Sequence, residues 1–169
     1  MDKASFVRRV NSRFWMSLYL FWKLPAAWFM GIRVEAFSGL HTVVRLPYGW
    51  RSQNPFRSTY FAAQCAAGEL STGLLALAAL QGQPPVSMLV THIEASFSKK
   101  ASGTLRFTCD EGERVAACVQ LAIESGQAQT LRLAAVGCLP DGTEASRVWI
   151  TWSFKARAAK RLARQQGQI

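Results

Sequence analysis

The chain has 169 residues, half of them hydrophobic and 18% charged, with six Trp and ten Phe. That length suits one domain and buries enough surface to fold without a disulfide or metal staple, and the composition excludes a disordered or collagen-like polymer. The net charge of +10 sits mostly at the ends, with +3 on residues 1–13, +5 on residues 153–169 and +2 between them. A nucleic-acid reader needs its basic face on the folded body, so no nucleic-acid partner is expected.

Residues 14–32 are strongly apolar and follow a basic stretch. A signal peptide or membrane span is disfavoured by Lys23 and Pro25 in the middle and by the lack of a small-x-small cleavage site. A central Lys alone costs about 2.5–3.5 kcal/mol on insertion. Val7, Val10, Phe14, Leu18, Phe21 and Trp22 recur at 3–4-residue steps. This predicts one amphipathic helix packed by that stripe on the domain or on a partner subunit. A second reading stays open, an interfacial helix that uses Trp15, Trp22 and Trp28 with Arg8, Arg9 and Arg13 for peripheral membrane contact.

The pattern changes after Gly31. Residues 32–38 and 41–46 are short β-branched runs split by Ser38-Gly39 and predict a strand pair. Pro47, Gly49 and Pro55 punctuate a loop. Residues 58–80 form the clearest helix, capped by Ser58 or Thr59 and ended by Gly82 with Pro84-Pro85. It is apolar nearly all round, as a helix wrapped by a curved sheet would be. Five strands are expected after Pro85, over residues 86–100, 103–110, 114–125, 127–139 and 147–158, joined by hairpin turns into an antiparallel meander. Leu105, Phe107 and Cys109 alternate with Arg106, Thr108 and Asp110, so one face of that strand should be buried. A solvated helix is expected over residues 155–166.

Cys65, Cys109, Cys118 and Cys138 form no C-x-x-C pair, and neither His41 nor His92 lies at metal-ligand spacing from them. They are expected to be reduced, mostly buried thiols of a cytoplasmic protein with a metal-free site. There is no G-x-S-x-G and no glycine-rich phosphate loop, and the two His are read as strand or interface side chains.

One carboxylate, Glu69, interrupts the apolar helix between Gly68 and Leu70. A buried carboxylate is either paired, here with an Arg of a neighbouring strand, or used as a general base or nucleophile. Asn54 lies 15 residues earlier, in the loop leading into the helix. The free N–H groups of the helix start near Tyr60 and Phe61 can polarise a carbonyl oxygen.

Three segments carry a family resemblance: Asn54-Pro55-Phe56-Arg57-Ser58-Thr59-Tyr60-Phe61-Ala62-Ala63-Gln64, Gly68-Glu69-Leu70-Ser71-Thr72-Gly73, and Ala95-Ser96-Phe97-Ser98-Lys99-Lys100-Ala101-Ser102-Gly103. Over about residues 31–155 the chain resembles the hotdog-fold thioesterases. The nearest branch is that of the phenylacetate-pathway and hydroxybenzoyl-coenzyme A enzymes, with its uncharacterised bacterial members that carry an N-terminal helix. The resemblance implies an α+β hotdog fold, with an antiparallel sheet around the long helix. Residues 1–30 would then be a helical extension, 31–155 the hotdog domain and 156–169 a basic tail. It further implies acyl-coenzyme A hydrolysis at a homodimer or homotetramer interface, coenzyme A being part of the substrate and no separate cofactor being needed. Glu69 would activate water or attack the thioester, Asn54 would orient the nucleophile, the Phe61 N–H would hold the thioester oxygen, and Thr72 would supply a hydroxyl. Lys99 and Lys100 would meet the coenzyme A phosphates. The family often has His-Gly-Gly where this chain has Tyr60-Phe61-Ala62, and a hydroxyl at the position of Gly73. The alternative function is a non-catalytic hotdog protein that binds acyl chains or a partner, associated with a membrane surface through its ends.

Overall fold

The computed structural model describes residues 2–157. Three helices open the chain: α1 (Lys3–Asn11), α2 (Arg13–Lys23) and α3 (Pro25–Phe29). Asp2 caps α1, its Oδ1 accepting the Ser5 N–H at 2.7 Å. The single helix expected through Val7 and Trp22 is therefore two, broken at Ser12, whose φ of −78° and ψ of 112° are extended. The cause is distant in sequence. The Asn11 side-chain amide donates to the Phe37 carbonyl at 2.7 Å and accepts the Phe37 N–H at 3.2 Å, so α1 ends there. The break resets the helical phase. α2 buries Met16 and Leu20, and Phe14, Leu18, Phe21 and Trp22 of the expected packing stripe face outward. The 11 residues of α2 extend about 16 Å, half the thickness of a bilayer core, and Pro25 starts a new helix.

The strands are β1 (Arg33–Phe37), β2 (Thr42–Leu46), β3 (Val86–Phe97), β4 (Leu105–Cys109), β5 (Gln129–Cys138) and β6 (Glu144–Ala156), with helices α4 (Phe61–Ala79) and α5 (Gly112–Ser125) between them. They form one six-stranded antiparallel sheet in the order β1-β2-β4-β5-β6-β3. Two expectations are corrected. Residues 114–125 are helix α5, not a strand: Val115, Val119 and Ala122 are buried at helical spacing. Gly126, with φ 65°, caps that helix in the left-handed region where a hairpin turn was expected. The strands are also not a meander, because β3 crosses to the far end of the sheet and pairs with β6. β6 continues through Lys155 and Ala156, where a helix was expected to begin, and the rest of that helix lies outside the described residues.

The alternation along β4 is as expected, with Leu105, Phe107 and Cys109 buried. The two sheet edges differ. Asn11 satisfies Phe37 of β1 as a neighbouring strand would, whereas β3 offers 12 residues whose outer edge meets no other strand among the described residues. None of the four cysteines is in a disulfide. Only Cys109 is buried and the other three are half-buried, fewer buried than expected; burial pushes all four thiols up, Cys109 to about 12.

α4 is the one described helix long and apolar enough to cross a membrane, yet most of it is covered by protein. It packs on β2, β4, β5, β6 and α5. Tyr60 is its N-cap residue and no side chain caps it. Thr59, expected as a cap, donates both its N–H and its hydroxyl to the Ala101 carbonyl, at 2.7 and 3.0 Å. Close approach to β6 depends on two glycines. A Cβ at Gly68 would lie 2.8 Å from Val148 Cβ, and one at Gly73 would lie 3.2 Å from the Trp152 ring. Ala is the better helix former by about 1 kcal/mol. At Gly68 the clash outweighs that gain, and Gly68→Ala should destabilise the fold by about 1–3 kcal/mol, as overpacking does. Thermal unfolding reads this directly, and a raised Tm would contradict the packing described.

Candidate active site

Glu69 lies two turns into α4, with Gly68 against Val148 on one side and Gly73 below it. It is half-buried and forms no ion pair among the described residues, so the expected Arg of a neighbouring strand is not there. Burial raises its carboxyl above the ordinary value. A Cβ at position 73 would lie 3.5 Å from Oε1, in ordinary contact with the carboxylate. Tyr19 of α2 stands close enough that the Glu69 charge adds to burial in raising its phenol. No sequence pattern announces Tyr19, because helix packing across 50 positions brings it there.

Asn54 organises the loop before α4. Its Oδ1 accepts the Phe56 N–H at 3.0 Å, the Ser58 N–H at 3.2 Å and the Ser58 hydroxyl at 3.1 Å. Its backbone N–H donates to the Ser58 carbonyl at 2.8 Å. This tight turn holds Arg57 in the left-handed region at φ 57°, which is uncommon outside glycine. The side-chain carbonyl is thus committed to the loop, while the amide Nδ2 donates to no described residue.

Phe61 is the first residue of α4, and no side chain makes a capping hydrogen bond to the helix start. Its ring is exposed and packs edge-on against Tyr60 and against Phe97, the last residue of β3. Lys99 and Lys100 follow Phe97 in an exposed turn held by Ser98 and Lys99 N–H bonds to Ala145, at 2.9 and 3.2 Å. The Thr59–Ala101 bonds tie this turn to the start of α4. Asn54, Phe61 and the lysine turn therefore form one neighbourhood. Eight residues of helix, about 12 Å, separate Phe61 from Glu69 of the same chain.

Thr72 points elsewhere. Its buried hydroxyl donates to the Glu69 carbonyl at 3.1 Å and accepts the Trp152 indole N–H at 3.0 Å. Its one proton is used, and its place is between helix and sheet. His41 pairs with Asp110 at the β2–β4 end, and His92 lies exposed on β3. Gln64 is buried one turn into α4, its amide donating to the Thr59 carbonyl at 3.1 Å and its Oε1 unpartnered among the described residues.

A six-stranded antiparallel sheet around a long helix with an acid in its middle defines a hotdog fold, and solved structures agree. A Pseudomonas aeruginosa protein of unknown function, described as a probable thioesterase, matches with a TM-score of 0.68 at 19% identity, over 84% of this chain and 95% of its own. A Haemophilus influenzae thioesterase matches with a TM-score of 0.62 at 12% identity, over 89% and 95%. A Staphylococcus aureus protein, described as a thioesterase, was solved with a Gln and, separately, a Glu replaced by Ala, the two being 15 positions apart. It matches with TM-scores of 0.56 and 0.57 at 13% identity, over 75% of this chain and 94% of its own. The model of the family described as a domain of unknown function, DUF4442, matches residues 13–154, and the chain belongs to that family. No curated protein matches the sequence.

The raised Glu69 carboxyl fixes a pH signature. A carboxyl whose folded value lies above its unfolded one favours the neutral form in the fold, so its contribution to stability is lost as pH rises through the folded value. Glu69→Gln removes that loss. The variant should match or exceed wild-type Tm at neutral pH, and the difference should shrink as pH falls below the ordinary carboxylate value of 4.5. A variant that melts far below wild type at neutral pH would instead show that Glu69 is held by a cation.

Proposed function

We propose that the protein is an acyl-coenzyme A thioester hydrolase whose site is shared between two subunits. The observation that carries this reading is Glu69, a half-buried carboxylate without a described cation partner and the one charged residue of a mostly buried helix. A Gln and a Glu at the same 15-residue spacing were the residues replaced in the Staphylococcus aureus neighbour, and this supports pairing Asn54 with Glu69.

In this reading Glu69 takes a proton from water, whose oxygen attacks the thioester carbon. The C–S bond then breaks, the carboxylic acid is released, and the proton passes to the departing coenzyme A thiolate. Direct attack by Glu69 would give an acyl-enzyme anhydride that water then hydrolyses to the same products. The Phe61 N–H, at the positive end of the helix, holds the carbonyl oxygen as negative charge develops there. Asn54 Nδ2 orients the nucleophile, Thr72 positions the helix around Glu69, and Lys99 and Lys100 contact phosphate. About 12 Å of helix is more than a thioester group spans, so the N–H donor and the carboxylate on one substrate belong to different subunits. Two features support such a dimer. The 12-residue edge of β3 carries exposed Leu89, Ile93 and Phe97, and Phe97 touches Phe61, so a second copy added at this edge arrives beside the helix start.

A panel of acyl-coenzyme A esters, followed by release of free thiol, tests the reading. Glu69→Gln should lower kcat at least about 100-fold, the usual minimum for a general base, with the fold intact. Asn54→Asp keeps the oxygen that the loop needs and replaces the amide N–H donor with a carboxylate oxygen, which can only accept. It should hold Tm to within about 1 kcal/mol of stability while turnover falls. Stable variants with wild-type turnover would contradict both roles, and a monomer by light scattering at micromolar concentration would contradict the shared site.

A further inference from the structure

The outward side of α2 has no partner in the fold. At about 100° per residue, Phe14, Trp15, Leu18, Phe21 and Trp22 fall within an arc of about 120°, centred opposite the buried pair Met16 and Leu20. Phe14 is 69%, Trp15 56% and Trp22 72% exposed. Trp28 and Phe29 of α3 and Trp50, whose ring meets that of Phe29, extend the patch.

Cations flank it on both sides. Arg9 and Lys23 line an almost wholly apolar crevice of about 400 Å³ together with Trp15, Leu18 and Trp22. On the other flank, Arg13 and Phe14 share a second crevice with Arg33, Arg51 and Arg45, the last paired with Glu35 in the same lining. Residues 3–29 contain five basic and no acidic side chains, all five exposed and none in an ion pair among the described residues. A second copy of the chain would bring these cations against themselves, since a two-fold interface meets its own patch. An exposed aromatic arc with Trp15 and Trp22 toward one margin and cations on both flanks fits a surface that is apolar within and anionic at its boundary.

We infer that α1–α3 dock the protein on an anionic phospholipid bilayer, with α2 lying in the interfacial plane, its aromatic arc down and Arg9, Arg13 and Lys23 among the headgroups. The inference is independent of hydrolysis.

Vesicles of phosphatidylglycerol and phosphatidylcholine in equal parts, against phosphatidylcholine alone, provide the test with the full-length protein. Binding should require phosphatidylglycerol, weaken with salt, and quench Trp fluorescence when the acyl chains are brominated. Trp15→Ser/Trp22→Ser, at exposed positions, should bind at least about 10-fold more weakly and lose most of the quenching while keeping wild-type Tm. Arg9→Gln/Arg13→Gln/Lys23→Gln should lose about 5-fold for each cation removed. Wild-type binding without bromine quenching and untouched by the Trp substitutions would assign lipid contact to the basic tail and overturn the inference. Absence of vesicle binding, or a loss of self-association in the Trp variant without vesicle binding, would overturn it equally.

Discussion

The fold depends on how closely α4 can approach β6. A 19-residue helix that is apolar on nearly every side must be covered on nearly every side, and a curved sheet does this only where the helix surface is small. Gly68 and Gly73 provide that at the two places where Val148 and Trp152 press in. The same contact fixes the surroundings of Glu69. Glu69 is held between those glycines, with its backbone carbonyl bonded to Thr72 and Thr72 bonded to Trp152. A carboxylate in this position is half-buried, and that burial raises it above its ordinary value.

Elements whose signal is local were legible in the sequence. α4 announced itself by apolarity on nearly every side and terminal Gly and Pro, and β1, β2 and β4 by β-branched runs and alternation. α5 was not legible as a helix, because its crowded apolar residues fit a period of 2 as well as one of 3.6. Burial on one side, at Val115, Val119 and Ala122, settles the period. The division of α1 from α2 was hidden for another reason. Ser12 alone does not end a helix, and the ending comes from Asn11 binding a strand 26 residues away. The apolar stripe in that segment was real, but its direction depends on a phase that only packing sets.

The candidate site divides in the same way. Glu69 stood out because a charge in an apolar helix needs a reason, and the roles of Asn54 and Phe61 came from the family resemblance. Spacing could not show that the Asn54 carbonyl is committed to its own loop, or that the Thr72 hydroxyl turns toward Trp152. Nor could it show Tyr19 arriving from α2 to share the electrostatic surroundings of Glu69. Each of these is a contact between segments far apart in the chain.

The central claim is that Glu69 is a carboxyl raised by burial and free of a compensating cation. Titration of the side-chain carboxyl carbons by NMR in the full-length protein, with Glu69→Gln used to assign the resonance, tests it most directly. The account predicts a midpoint for Glu69 above the ordinary value of 4.5. A midpoint at or below that value would mean that a positive charge or strong donor holds the ionised form, and would contradict the account.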